Sequence, residues 1–157
     1  MPYGDVYELR HSASVSTAIT VMQIASGTIT PALILSANAS QRGSTVSAQE
    51  ELSFVRKSAG ATVTTAVVGT HLFKLRPGDP TPNLLLGTTT TGVIASGEGT
   101  DTDICYRSSF NVLNGWVYLP VPEERIFMAA AAFLGLKYST APATQNWSWN
   151  ISIMELG

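Results

Sequence analysis

Asn146-Trp147-Ser148-Trp149-Asn150-Ile151-Ser152-Ile153 alternates without a break between small polar residues and large apolar ones. A period of two is the mark of an extended strand with one buried and one wet face. Upstream, Asn114-Gly115 leads into Trp116, Val117, Tyr118 and Leu119, an aromatic and β-branched run that favours a second strand. Pro120 and Pro122 stop it, because proline cannot donate to a central ladder. Between these two strands lies a segment with two scripts, Pro122 to Tyr138. Proline at the start, Glu123 and Glu124 in a first turn, and Ala129 to Ala132 would suit a helix. Ile126, Phe127, Met128, Phe133, Leu134 and Leu136 would then surround that helix with apolar groups, and a domain this small has little core to bury it in. The segment reads as two strands joined by an alanine-rich turn.

Working outward, the rest of the chain repeats this pattern. Thr17 to Ala25 is β-branched and apolar on both faces, which predicts a strand buried on two sides, or on one side plus a subunit interface. Pro31 opens ALILSAN, a further strand that ends in the polar stretch Ser40 to Ser44. Gln49 to Lys57 alternates as a strand, and Ser58 to Gly69 reads as strand or extended loop. Leu72 to Leu75 is a short strand, Arg76 to Asn83 (RPGDPTPN) a turn cluster, and Ser96 to Asp103 a polar loop before a strand at Ile104 to Phe110. The fold class expected is all-β: an antiparallel β-sandwich, jelly-roll-like, with about eight short strands. Met1 to Arg10 reads as an N-terminal arm and residues 11–157 as one sandwich domain.

The totals exclude several classes. A chain of 157 residues buries roughly 70% of its unfolded surface and needs no disulfide staple. A net charge of −2 gives no basic footprint for nucleic acid. Only 13% of residues are charged against 45% apolar, which suggests that some apolar surface lies between subunits. No positive flank with an apolar core opens the chain, and no apolar run approaches the ~18 residues of a membrane span. The expectation is a soluble protein made in the cytoplasm, so the Asn-x-Ser sites at Asn38 and Asn146 carry no glycan meaning.

Each residue set that could carry chemistry has a plainer reading. The single Cys105 lacks a partner base nearby and reads as a small buried residue. Gly87-Thr-Thr-Thr-Thr-Gly92 lacks the Lys-Ser/Thr of a phosphate loop. Glu98, Asp101 and Asp103 could offer oxygens to calcium, but the EF-hand spacing is absent and acidic loops are usually solvated. His11 and His71 are the only histidines, give no zinc spacing, and stand without a nucleophile elbow. Adjacent Glu123 and Glu124 would point to opposite faces of a strand, a poor glycosidase pair. Trp116, Tyr118, Trp147 and Trp149 could stack sugars, although aromatic strands more often form a core. No catalytic residue, metal or cofactor is expected.

The run from Phe110 to Gly157 resembles the end of small β-sandwich proteins encoded among tailed-phage structural genes. It carries a GW-x-x-L-P-x-P-E-E segment at Gly115 to Glu124 and a strand ending in Lys and an aromatic at Leu134 to Tyr138. A-P-A-T at Ala141 to Thr144 and a closing alternating strand at Trp147 to Glu155 follow. In the family a Pro/Gly break would separate the two strands after Glu124. Here Ala129 to Ala132 stands instead, which keeps the helix reading open. The resemblance implies a jelly-roll head decoration (cement) protein of a tailed bacteriophage, commonly a trimer. Such a protein binds the major capsid protein on the outer capsid surface and stabilises the head, without catalysis, nucleic acid or membrane. It supplies no site residue. An arm that orders on a partner would make Pro2, Tyr3, Asp5, Tyr7 and Arg10 candidate capsid contacts. The alternative is a carbohydrate-binding jelly-roll module, receptor-binding or lectin-like.

Overall fold

The alternating stretch forms a central strand, β12 (Gln145–Glu155). The computed structural model describes residues 4–42, 47–143 and 145–157. In it β12 lies between two long antiparallel partners, β1 (Asp5–Val15) and β3 (Ala32–Arg42). A central strand under a second sheet must bury one face, and Trp147, Trp149, Ile151 and Ile153 are all buried. The short β6 (Leu72–Lys74) extends this sheet beyond β1. Beyond β3, β9 (Trp116–Tyr118) and the two-residue β10 (Phe127–Met128) share one edge. The second sheet runs β5 (Thr62–Thr65), β7 (Gly92–Gly97), β2 (Thr20–Ala25), β11 (Phe133–Tyr138), β4 (Gln49–Ala59) and β8 (Thr100–Asn111).

Eight of these strands carry the architecture. In spatial order β1-β12-β3-β9 faces β2-β11-β4-β8, and along these eight the chain changes sheet at β1 to β2, β2 to β3, β3 to β4, β8 to β9, β9 to β11 and β11 to β12. That double wrap is the jelly roll, so the all-β sandwich expected from periodicity is the fold observed. β5, β6, β7 and β10 are short additions. Between the sheets the aromatic side chains pack edge to face and tilted: Phe54 lies 5.3 Å from Tyr118, and Tyr138 lies 5.4 Å from Trp147.

The ambiguous segment resolves as two strands. Pro122–Glu124 makes a single 3-10 turn, Ile126 and Met128 turn inward around an exposed Phe127, and an alanine turn leads into β11. Ser26 holds that turn. Its hydroxyl donates to Ala129 O at 2.6 Å and accepts from the Ala132 N–H at 2.9 Å. Ala131 takes the left-handed conformation, φ 56°, and donates its N–H to Gly27 O. Alanine thus performs the reversal that a glycine would make at less cost.

Two expectations need correction, and the choice left open at Thr17 to Ala25 is decided. The sandwich begins at Asp5, not after Arg10, because β1 pairs with β12 from Asp5 opposite Glu155 onward. The polar stretch Ser96 to Asp103 is mostly strand: β7 ends at Gly97 and β8 starts at Thr100, two strands that do not pair with each other, and its polarity reflects strand ends that lie exposed. The second face of β2 is covered by the chain itself. Gln23, without exposed surface, donates to Ala61 O and Thr90 O and accepts from the Ala61 N–H, stitching two loops across that face. The apolar count of β2 therefore requires no subunit interface.

Candidate interaction surface

The side chains weighed for chemistry go mostly to structural work. Trp116, Tyr118, Trp147 and Trp149 are all buried, so none can stack on a sugar. The Trp149 Nε1–H donates to the Tyr138 hydroxyl at 3.3 Å. Burial pushes the Tyr138 and Tyr7 hydroxyls well above the ordinary tyrosine range. Cys105 is half-buried, and burial raises its thiol too, which makes it a weaker nucleophile at neutral pH. Thr91, within the glycine-bounded run, exchanges hydrogen bonds with the Ala25 backbone.

Glu98 and Asp101 do converge, but around two ammonium groups. Lys57 Nζ lies 2.5 Å from Asp101 Oδ1 and 3.3 Å from Glu98 Oε2, and Lys137 Nζ lies 2.6 Å and 3.2 Å from the same two carboxylates. Glu98 also accepts from the Thr20 N–H and hydroxyl. Burial would raise both carboxyls. The Thr20 donors and the lysines outweigh it at Glu98, and the lysines alone at Asp101, so both titrate below their ordinary range. Lys137 is held above its ordinary value, since Asp101 and Glu98 outweigh its desolvation. Lysines thus occupy the place a hard cation would take. Among the described residues no group of three His, Cys, Asp or Glu side chains could hold a metal ion.

The two histidines meet, which their sequence separation concealed. β1 carries His11, and the loop before β6 carries His71, with ring centroids 5.4 Å apart. Burial, then the neighbouring imidazole, holds His11 below its ordinary pKa. His71 Nδ1 accepts from the Val67 N–H at 3.2 Å. Both line a shallow depression with Arg10, Asn38 and Asn150 on the outer face of the first sheet. Among the described residues no serine hydroxyl bonds to either ring. Glu123 and Glu124 lie exposed on the 3-10 turn.

The arm residues divide. Pro2 and Tyr3 lie outside the described residues. Tyr7 is buried and donates its hydroxyl to Pro80 O at 3.0 Å, which removes it as a contact. Asp5 and Arg10 reach the surface from β1, Arg10 paired with Glu8 and lying 4.9 Å above the Phe73 ring.

What remains is an apolar rim. Of eleven exposed large hydrophobics among the described residues, five fall within Leu113–Phe127: Leu113, Val117, Leu119, Val121 and Phe127. Val117 and Phe127 sit on β9 and β10 at the edge of the first sheet, and Leu113, Leu119 and Val121 on the chain segments that flank these strands, with Leu119 77% exposed and Val117 65%. Phe127 stands opposite Leu33, Leu33 opposite Met154, and Met154 opposite Val6, so the rim continues as an apolar row across the outer face. A depression between Tyr106 and Tyr118, floored by Leu119 and Pro120, opens beside it. The signal was present in sequence: Val117 alternates with Trp116 and Tyr118, and a strand apolar on both faces at a sheet edge leaves one of them wet. No known protein family, curated protein or solved structure matches the chain.

Proposed function

We propose that this protein is a virion structural component, a decoration or cement protein that docks on the outer capsid surface of a tailed phage and stabilises the head without catalysis. The observation that carries the reading is the apolar rim Leu113–Phe127, displayed on a rigid two-sheet frame. Contiguous exposed apolar surface marks a protein-binding face. The resemblance of Phe110 to Gly157 to phage decoration proteins supports the same reading, and the jelly roll is compatible with it. The partner is the major capsid protein. The rim is a contact beyond the N-terminal candidates, of which Tyr7 is committed to the core while Asp5 and Arg10 keep surface. The trimer that the resemblance implies has no free β2 face to rest on.

Cryo-electron microscopy of assembled particles tests this. Density of this size on the outer shell is expected, and Leu119→Asp with Val121→Asp should empty it while leaving the circular dichroism unchanged. Density confined to neck or tail, or full occupancy by the double variant, contradicts the proposal. The carbohydrate-binding alternative has lost its aromatic platform and would have to use the polar depression around Arg10, Asn38 and Asn150. Glycan binding abolished by Asn38→Ala would favour it.

A further inference from the structure

We propose that two copies of this chain pair through the free edge of β8, strand against antiparallel strand, about a two-fold axis beside Ile104. This rests on the edge itself and not on the capsid reading. The other strands that end or flank the sheets, β5, β6, β9 and β10, are two to four residues long. β8 runs from Thr100 to Asn111 and among the described residues is paired on one side only, with β4. A long unpaired edge is a template for another strand.

The side chains specify which strand. Relative to β4, β8 holds an extra residue at Cys105, between Ile104 and Tyr106, and another at Thr102, between Asp101 and Asp103. These bulges place Asp101, Ile104 and Arg107 on one face, opposite Lys57, Val55 and Ser53, where all three line the same depression. Read along β8, the face presents a carboxylate, a 45% exposed isoleucine and a guanidinium at equal spacing. That order is its own antiparallel complement. With Ile104 opposite its own copy, Asp101 of each chain faces Arg107 of the other. Bulges protect an edge against a regular strand. Here each span flanking Ile104 contains one, so the span Asp101–Ile104 in one copy matches the span Ile104–Arg107 in the other. A second copy therefore fits this edge better than an unbulged strand does. Asp101 and Arg107 both keep solvent-exposed surface while bonded to Lys57 and Glu51, so the new pairs add to existing ones. A contact made by one strand pair is small beside a standard interface, so association is expected to depend on protein concentration.

Sedimentation across a concentration series tests the pairing. The mass should rise from 16.6 kDa for one chain toward twice that value. Ile104→Lys, which sets two ammonium groups on the axis, should remain monomeric with an unchanged circular dichroism spectrum. Arg107→Glu should weaken association by about tenfold or more. In a Cys105→Ser background, Ile104→Cys should form an interchain disulfide on oxidation, since directly opposed antiparallel positions bring Cβ atoms within bridging range. Val117→Cys, exposed on the other sheet, should not. A monomer at every concentration, a trimer, or a dimer indifferent to Ile104→Lys would each overturn the proposal.

Discussion

An ammonium group with no exposed side-chain surface has to be neutralised where it stands, and Lys57 is such a group. Its stem crosses Gly135, where an added Cβ would meet Lys57 Cε at 2.9 Å and Thr20 Cγ2 at 3.1 Å. Lys57→Met keeps the stem and deletes the charge. It should destabilise by about 1–3 kcal/mol in urea titrations, as Glu98 and Asp101 lose a donor. Acid should act in two steps. His11 has a folded pKa below its ordinary 6.5, so its contribution is complete above that pH and lost as pH falls through the lower folded value. Glu98 and Asp101, ordinarily 4.5 and 3.8, are also depressed, so their contribution is complete above those values and lost as pH falls through their lower folded ones. Melting midpoints should show both windows. His11→Phe should remove the upper one alone, and a profile unchanged by that variant would assign the upper step elsewhere.

At the level of elements, the turn between β10 and β11 is the most informative. Ala131→Gly relieves a left-handed alanine, a strain of about 1–2 kcal/mol, and part of that should return as a higher melting midpoint despite the entropy glycine adds to the unfolded chain. Ser26→Ala removes both hydroxyl bonds to the turn and should cost about 1–3 kcal/mol. Ile151→Ala should cost about 2–5 kcal/mol, because β12 is buried under the second sheet. A loss below about 0.5 kcal/mol would contradict that placement. β12 and β9 were legible in sequence because each has one dry face and its alternation survives, and β4 because Leu52 and Phe54 alternate with Ser53 and Lys57 although both faces are buried. β1 was legible only in part: Val6 to Leu9 alternates, but Pro2, Gly4, Asp5 and the nearby charges gave the segment the look of an arm, and the use of Glu8, which accepts from Asn150 and Arg10, is not local. The start of β8 was hidden for a similar reason, since Asp101 is polar in order to meet two lysines of other strands. Contacts between residues far apart in the chain, such as His11 with His71 or Gln23 with Ala61, leave no local trace. The rim was legible in part: Val117 showed its second apolar face, but nothing local revealed that β9 is an edge.

For the whole molecule, the pairing of β1 with β12 makes the first and last strands mutually dependent. Deleting the first ten residues takes Tyr7 and Leu9 out of the core and exposes one side of β12, so cooperative unfolding should be lost altogether. A stable, cooperatively melting truncation would show that β1 is dispensable. The central place of β12 has a further consequence. Without residues 145–157, β1 and β3 have no ladder partner between them, and Leu9, Ile34 and Ala37 lose the residues opposite them. A synthetic peptide of residues 145–157 supplied to a fragment ending at residue 144 should therefore restore the fold in trans, and a scrambled peptide of the same composition should not.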